Sequence, residues 1–149
     1  MALDGSDASL EALEALVSLF DLDSAEVTLM HVMEEPWLRL GSEDERLDRS
    51  GETSIDEESS FKKELRREAQ QWIDRARNEL LAQHPAVNTL VEQGNPATEL
   101  LSEAETGEYD LLVVGGTGVS DLKHKIVGSV SAKLAWDAPC SVLLVTSAP

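Results

Sequence analysis

The sequence predicts an α/β protein, a doubly wound parallel sheet of five strands with helices on both faces. Apolar runs of strand length alternate with amphipathic helical segments, in the order β-α-β, a long excursion, then α-β-α-β-α-β. Such alternation is typical of a parallel sheet that is covered on both faces. The length of 149 residues suits one domain and no repeat or linker divides it, so residues 1–149 are expected to fold as one unit.

The first strand, "MALD", is short, because Met1 lies only three positions before Asp4. Strands usually have about five or six residues, so either this strand is short or the start of the sequence is clipped. Ser6 is a good N-cap for the amphipathic helix that follows it. The apolar, β-branched run at residues 25–34, "AEVTLMHVME", predicts the second strand.

The chain changes character at residues 34–60, which are acidic and polar and predict a long, mobile excursion. A helical pattern returns from Ser60 to Gln83. Its apolar face, expected to pack into the core, consists of Leu65, Ala69, Trp72, Ile73, Ala76 and Leu80.

The last third contains three more strands and two helices. Asn95 and Pro96 predict the N-cap and the first helical residue of the first of these helices. The other elements are strands at residues 86–94, 109–116 and 140–147, and a short helix from Ile126 to Trp136.

The composition excludes several classes of function. Twelve Lys and Arg against 29 Asp and Glu give a formal net charge of −17, which repels a phosphate backbone, so nucleic-acid binding is not expected. The acids are spread along the chain, which favours a halophilic surface in a salty cytoplasm over an acidic patch for one partner. Without a long apolar run or a signal peptide, the chain is expected to be cytoplasmic and not inserted in a membrane.

Three groups of residues are expected to meet at one edge of the sheet. Ligands of doubly wound sheets bind beyond the carboxyl ends of the strands. Asp4 ends the first strand, Gly115 to Gly118 end the fourth, and Gly128-Ser129 begins the last helix. If the first and fourth strands are neighbours, all three groups face one crevice.

The residue types in this crevice predict a mononucleotide. Gly115 and Gly118 let the backbone approach a ligand without a Cβ, and a helix N-terminus favours an anion. The hydroxyls of Ser129 and Ser131 can donate to phosphate oxygens, and Asp4 suits a ribose hydroxyl or an exocyclic amine.

Two familiar glycine motifs do not fit this stretch. A Walker A loop needs G-x-x-x-x-G-K-[ST], and neither Lys123 nor Lys125 is preceded by the required glycine. A dinucleotide fingerprint needs G-x-G-x-x-G after the first strand, whereas Gly116-x-Gly118-x-x runs into Asp121 after the fourth.

The pattern that does fit is G-x2-G-x9-G-[ST], formed by Gly115, Gly118, Gly128 and Ser129. Together with "LDGSDAS", "VTLMHVME", "VEQGNP" and "APCSVLLV", it resembles the universal stress protein family, and its ATP-binding subgroup, over nearly the whole chain. The resemblance implies an adenine nucleotide alpha hydrolase-like fold with strand order 3-2-1-4-5. It also implies a cytoplasmic homodimer that pairs through the last strand, at Ser141 to Thr146.

The resemblance further implies an ATP site with Mg²⁺ carried by the nucleotide. The implied binding residues are Ala2, Leu3, Asp4 and Val32 near adenine, Gly115, Gly116, Thr117, Gly118, Val119, Ser120 and Asp121 along ribose and phosphates, and Gly128, Ser129, Val130 and Ser131 on the phosphates. The expected role is a nucleotide-dependent stress or regulatory switch read by a protein partner.

Two alternatives remain open from the residues, a weak Mg²⁺-dependent ATPase and a nucleotide-free dimeric interaction module. No nucleophile or general base accompanies the glycines, so no catalytic residue is assigned, and no metal ligand is assigned in the protein. His31 is expected to be structural or at the rim of the site, and Cys140 to be a small buried residue.

Overall fold

The computed structural model describes residues 1–34, 55–81, 86–116 and 127–146. Its strands are β1 (Ala2–Leu3), β2 (Val27–Met33), β3 (Val87–Gln93), β4 (Leu111–Gly115) and β5 (Ser141–Val145). Its helices are α1 (Asp7–Leu19), α2 (Ile55–Leu81), α3 (Pro96–Thr106) and α4 (Ser129–Asp137). Within these ranges, no helix has the length and apolar character needed to cross a bilayer.

All strand pairs in the described ranges are parallel. β2 pairs with β1 on one side and with β3 on the other, and β4 pairs with β5. β1 contacts β4, but with two residues it forms a ladder only with β2, where Leu3 lies opposite His31. The hydrogen-bonded orders are therefore β1-β2-β3 and β4-β5.

Helices cover both faces of the sheet, as the sequence predicts. On one face, Leu13 of α1 and Ile73 of α2 pack with Leu29 and Val113. On the other, Leu134 of α4 packs, together with Leu100 of α3, against Met30 and Val114. Neighbouring strand residues point to opposite faces, so each core spans both β2 and β4 and holds the two sets of strands together.

Two predicted helix starts are confirmed. The Ser6 side chain accepts a hydrogen bond from the backbone N–H of Ser9 at 3.2 Å, which caps α1. The Asn95 side chain accepts one from Thr98 at 3.1 Å, with Pro96 as the first residue of α3. Each cap satisfies one of the backbone donors that a helix N-terminus leaves unpaired.

Two other helices begin elsewhere than expected. α2 begins at Ile55 and not at Ser60, so residues 55–60 are helical, and residues 35–54 of the predicted excursion lie outside the described residues. An acidic stretch is typical of loops, but acidic side chains also stabilise the N-terminal turn of a helix, because the helix dipole is positive at that end. α4 begins at Ser129 and not at Ile126, because Gly128 is its N-cap, with extended backbone angles.

Trp72 is not in the core. Ala69, Ile73, Ala76 and Leu80 of α2 are each at most 1% exposed, whereas Trp72 is 36% exposed. By helical spacing alone, both Trp72 and Ile73 belong to the apolar face of α2. In the packing of α2 on the sheet, only Ile73 is fully buried.

Candidate functional site

The end of β4 and the start of α4 meet at one point. The Gly116 N–H donates to the Val145 carbonyl at 2.6 Å, and the Gly128 N–H donates to the Gly116 carbonyl at 2.8 Å. The chain therefore leaves β4 and returns to begin α4 beside the same residue. The predicted site residues Thr117, Gly118, Val119, Ser120 and Asp121 fall between these points and lie outside the described residues.

Gly115 brings a third element to this point. A Cβ on Gly115 would lie 2.8 Å from the backbone carbon and oxygen of Ala8, in the first turn of α1. That distance is shorter than real Cβ contacts, so the approach of α1 to β4 requires a glycine. Ser131 ties α4 to the same strand, since its hydroxyl donates to the Gly115 carbonyl at 2.7 Å.

This bond gives Ser131 a role that sequence reasoning missed. Its side chain is 6% exposed, and its hydroxyl proton is directed to Gly115 rather than to a phosphate. Ser129 is exposed and Val130 is half-buried. At the start of α4, the groups left to meet a ligand are thus the backbone N–H groups and the Ser129 hydroxyl.

The N-terminus of α4 differs from those of α1 and α3. Its N-cap, Gly128, provides no side-chain hydrogen bond, and its first turn contains no acidic residue. The first turns of α1 and α3 contain Asp7 and Glu99, and both helices have side-chain caps. In a chain of net charge −17, this end of α4 has a positive dipole that neither its own cap nor its own first turn compensates, and it favours an anion.

Asp4 follows β1 at the same edge and is exposed. Its Oδ1 accepts hydrogen bonds from the Ser6 backbone N–H at 3.0 Å and from the Ser6 hydroxyl at 2.5 Å. Between them Gly5 has φ +79°, the left-handed region that favours glycine. One carboxylate oxygen therefore holds the turn, and Oδ2 has no partner among the described residues.

The remaining predicted base contacts offer backbone atoms rather than side chains. Leu3 and Val32 are 5% and 9% exposed and pack into the two cores. Ala2 is half-buried and lies opposite Met30 in the β1–β2 pair.

His31 lies beside this turn. Its Nδ1 is 2.8 Å from the carbonyl oxygen of Leu3; because that oxygen only accepts, we assign the proton of the neutral ring to Nδ1. Burial lowers the pKa of His31 from 6.5, and the hydrogen bond to Leu3 and the charge of Asp4 oppose this shift. The ring is therefore neutral at pH 7, with a lone pair on Nε2, and its bond to β1 agrees with the structural position expected for it.

A small cavity of about 20 Å³ lies away from the glycines and has room for about one water. Met1, Met30, Leu100 and Tyr109 contribute to its walls. The Met1 ammonium donates to the Thr28 carbonyl at 2.6 Å, and burial lowers its pKa from 8.0 to about 6. Tyr109 donates to Glu103 at 2.7 Å, and burial raises the pKa of Tyr109.

Comparison with known proteins supports one family. The family model of the universal stress proteins matches residues 1–146. Universal stress protein YxiE of Bacillus subtilis is 33% identical to this chain over 147 residues, which are 97% of this chain and 95% of that protein.

Solved structures share the fold. Protein MJ0577 has a TM-score of 0.79 at 24% identity, over 99% of this chain and 94% of that one. A universal stress protein in complex with cAMP has a TM-score of 0.58 at 24% identity, over 97% of this chain and 92% of that one. The Arabidopsis thaliana protein At3g01520, solved with AMP bound, has a TM-score of 0.67 at 16% identity, over 99% and 89%.

The family model covers nearly the whole chain and the Bacillus relative matches it end to end, on a fold that these structures share. The chain therefore belongs to the universal stress protein family.

Proposed function

We propose that the protein binds ATP or a closely related adenine nucleotide at the carboxyl edge of its sheet and acts as a nucleotide-dependent stress or regulatory switch in the cytoplasm. One observation carries the proposal. The hydrogen bond from Gly128 to Gly116 brings the N-terminus of α4 against the end of β4, and that N-terminus has neither a side-chain cap nor an acid. The structural neighbours that contain cAMP and AMP favour an adenine nucleotide as the anion.

In this proposal, the N–H groups of residues 129–131 and the segment at 115–121 hold the phosphates. The base lies near Asp4 and the backbone of Ala2, Leu3 and Val32. No three His, Cys, Asp or Glu side chains come together as a metal site in the part of the chain that the structure describes. A Mg²⁺ ion would therefore be held chiefly by phosphate oxygens, where it would neutralise part of their charge.

We further propose that β1 joins the two sets of strands in the order 3-2-1-4-5 and that the protein is a homodimer through β5. The contact of β1 with β4 and the shared cores support the strand order.

The proposed dimer interface is the free edge of β5. β5 pairs with β4 alone among the described strands, and residues 138–149 contain no charged side chain. An unpaired strand edge without like charges can pair with the same edge of a second copy. Sedimentation equilibrium is therefore expected to give twice the 16.2 kDa chain mass. A monomer at all concentrations would contradict the proposed dimer.

The nucleotide proposal is tested on protein purified without added nucleotide. We expect denaturation to release ATP, and millimolar Mg-ATP to raise the melting temperature of nucleotide-free protein. Release of ADP together with turnover of added ATP would favour a weak ATPase. If no nucleotide is released and Mg-ATP gives no thermal shift, both binding functions are wrong and the interaction module remains.

Gly118→Val tests the role of the glycine segment. A branched side chain at this position would occupy the approach of the phosphates, so ATP binding measured by calorimetry should be lost while the circular dichroism spectrum is kept. Ala135→Val, at an exposed position of α4, is the control and should bind as the unmodified protein does. Unchanged ATP affinity in folded Gly118→Val would refute this role.

A further inference from the structure

Trp72 contacts the turn that follows β1. A Cβ on Gly5 would lie 2.9 Å from Cε2, 3.0 Å from Nε1 and 3.2 Å from Cδ2 of the Trp72 indole. The ring therefore packs directly on the Gly5 backbone, next to Asp4. Trp72 as a whole is 36% exposed, so the contact with Gly5 does not bury it completely.

Three polar atoms around this turn have no partner among the described residues. Asp4 uses Oδ1 to hold Ser6 and leaves Oδ2. His31 uses Nδ1 on Leu3 and leaves Nε2 as an acceptor. The indole Nε1–H of Trp72 is a donor for which the described residues provide no acceptor.

The same turn is linked to the glycines of the candidate site. It leads directly into the first turn of α1, where the Ala8 backbone touches Gly115. Gly115 in turn accepts the hydrogen bond from Ser131 of α4. The open indole thus lies on the β1 side of the point where the proposed phosphate-binding elements meet.

We propose that Trp72 is a wall of the base pocket and that the purine of the bound nucleotide stacks on its exposed indole surface. The inference rests on the proposed function and adds to it a residue that recognises the base. An aminopurine matches the open atoms, since its exocyclic amine supplies donors for Asp4 Oδ2 and His31 Nε2. Its π-face suits an aromatic wall.

The first experiment compares Trp72→Leu and Trp136→Leu in the full chain by calorimetry. Trp136 is 88% exposed on α4 and serves as the matched control. Loss of one base–aromatic stack is expected to weaken ATP binding by roughly ten-fold or more in Trp72→Leu, with no change in Trp136→Leu. Inorganic tripolyphosphate, which has no base, should bind both variants equally.

The second experiment needs no disruptive change at Trp72. In Trp37→Phe/Trp136→Phe, Trp72 is the sole tryptophan, and its fluorescence is expected to change saturably with ATP at the affinity that calorimetry gives. This measurement decides the matter if Trp72→Leu fails to fold.

The outcomes separate this inference from the function on which it rests. If the unmodified protein binds ATP but folded Trp72→Leu binds it equally well, or if Trp72 fluorescence does not respond at saturation, the inference is wrong and the proposed function stands. If the unmodified protein binds no adenine nucleotide, both are overturned. Weakened tripolyphosphate binding in Trp72→Leu would also overturn the stacking role, because the defect would then not concern the base.

Discussion

At the scale of single residues, hydrogen bonds within the protein already use some of the polar atoms of Asp4 and Ser131 at this edge. Asp4 holds Ser6 with one carboxylate oxygen and leaves the other open. Ser131 directs its hydroxyl proton to Gly115, so that proton is not available to a ligand. Sequence reasoning selects both residues by type, but the hydrogen bonds decide which of their atoms a ligand can use.

Stability should depend on pH through Met1 and His31, whose pKa values are both lowered in the folded protein. The Met1 ammonium falls from 8.0 to about 6, so between these values the unfolded chain binds more protons. The free energy of unfolding should therefore rise from pH 6 to pH 8, by roughly 2–3 kcal/mol at most. Protonation of His31 should lower the free energy of unfolding further as the pH falls below 6.5.

Urea denaturation at constant ionic strength checks this, with retention of Met1 verified by mass. Acetylation of the N-terminus is the control, because it removes the titrating amine. Acetylation should flatten the pH dependence of the free energy of unfolding between pH 6 and pH 8. The decrease in this free energy below pH 6.5, which is due to His31, should remain. Equal stability of the unmodified protein at pH 6 and pH 8 would contradict the assignment.

At the scale of elements, α4 begins differently from α1 and α3. α1 and α3 start at side-chain caps and carry Asp7 and Glu99 in their first turns. α4 starts at Gly128 without either, at the edge where we propose that the nucleotide phosphates bind. Of these three helix N-termini, only that of α4 has neither a side-chain cap nor an acid in its first turn, and this is why we propose it for the phosphates.

Asn95 is expected to stabilise α3 through its cap. Asn95→Ala should lower the free energy of unfolding by about 1 kcal/mol, because the Thr98 N–H loses its partner, and Asn95→Gly by only a few tenths. Chemical denaturation of the three proteins measures both differences. ATP affinity should stay unchanged, since α3 contributes no residue to the proposed site. An Asn95→Ala variant as stable as the unmodified protein would show that the cap contributes nothing.

At the scale of the whole molecule, charge is unevenly distributed. Residues 62–77 of α2 contain six of the twelve Lys and Arg residues and only three acids, although the chain as a whole carries −17. These cations are Lys62, Lys63, Arg66, Arg67, Arg75 and Arg77. The rest of the surface is therefore strongly acidic, and mutual repulsion of its carboxylates opposes the compact state at low salt.

Salt should stabilise the protein for this reason. Raising KCl from about 0.1 M to about 2 M shortens the Debye length from about 10 Å to less than 3 Å, so the melting temperature is expected to rise. A triple variant with Glu14→Lys, Glu26→Lys and Glu105→Lys, at exposed positions, has a net charge that is six units more positive. Its melting temperature should rise less with the same addition of KCl. An equal or smaller response in the unmodified protein would show that salt acts by some route other than screening.

The sequence by itself determined the α/β class, the caps at Ser6 and Asn95, and the residues gathered at the carboxyl edge, because periodicity, capping and the end of a strand are local properties. It also singled out Asp4, Gly115 and Gly128-Ser129 as parts of one site. The contact of these residues, and of Thr117–Asp121, with a ligand stays a prediction.

Only the tertiary structure decided that Gly128 bonds to Gly116, that Gly115 abuts Ala8 and that Trp72 lies on Gly5. Each of these contacts joins residues far apart in the chain, and its geometry depends on how a helix is rotated and seated on the sheet. Helical spacing fits Trp72 and Ile73 equally well to the buried face, and only packing on the sheet places Ile73 in the core and the indole on Gly5.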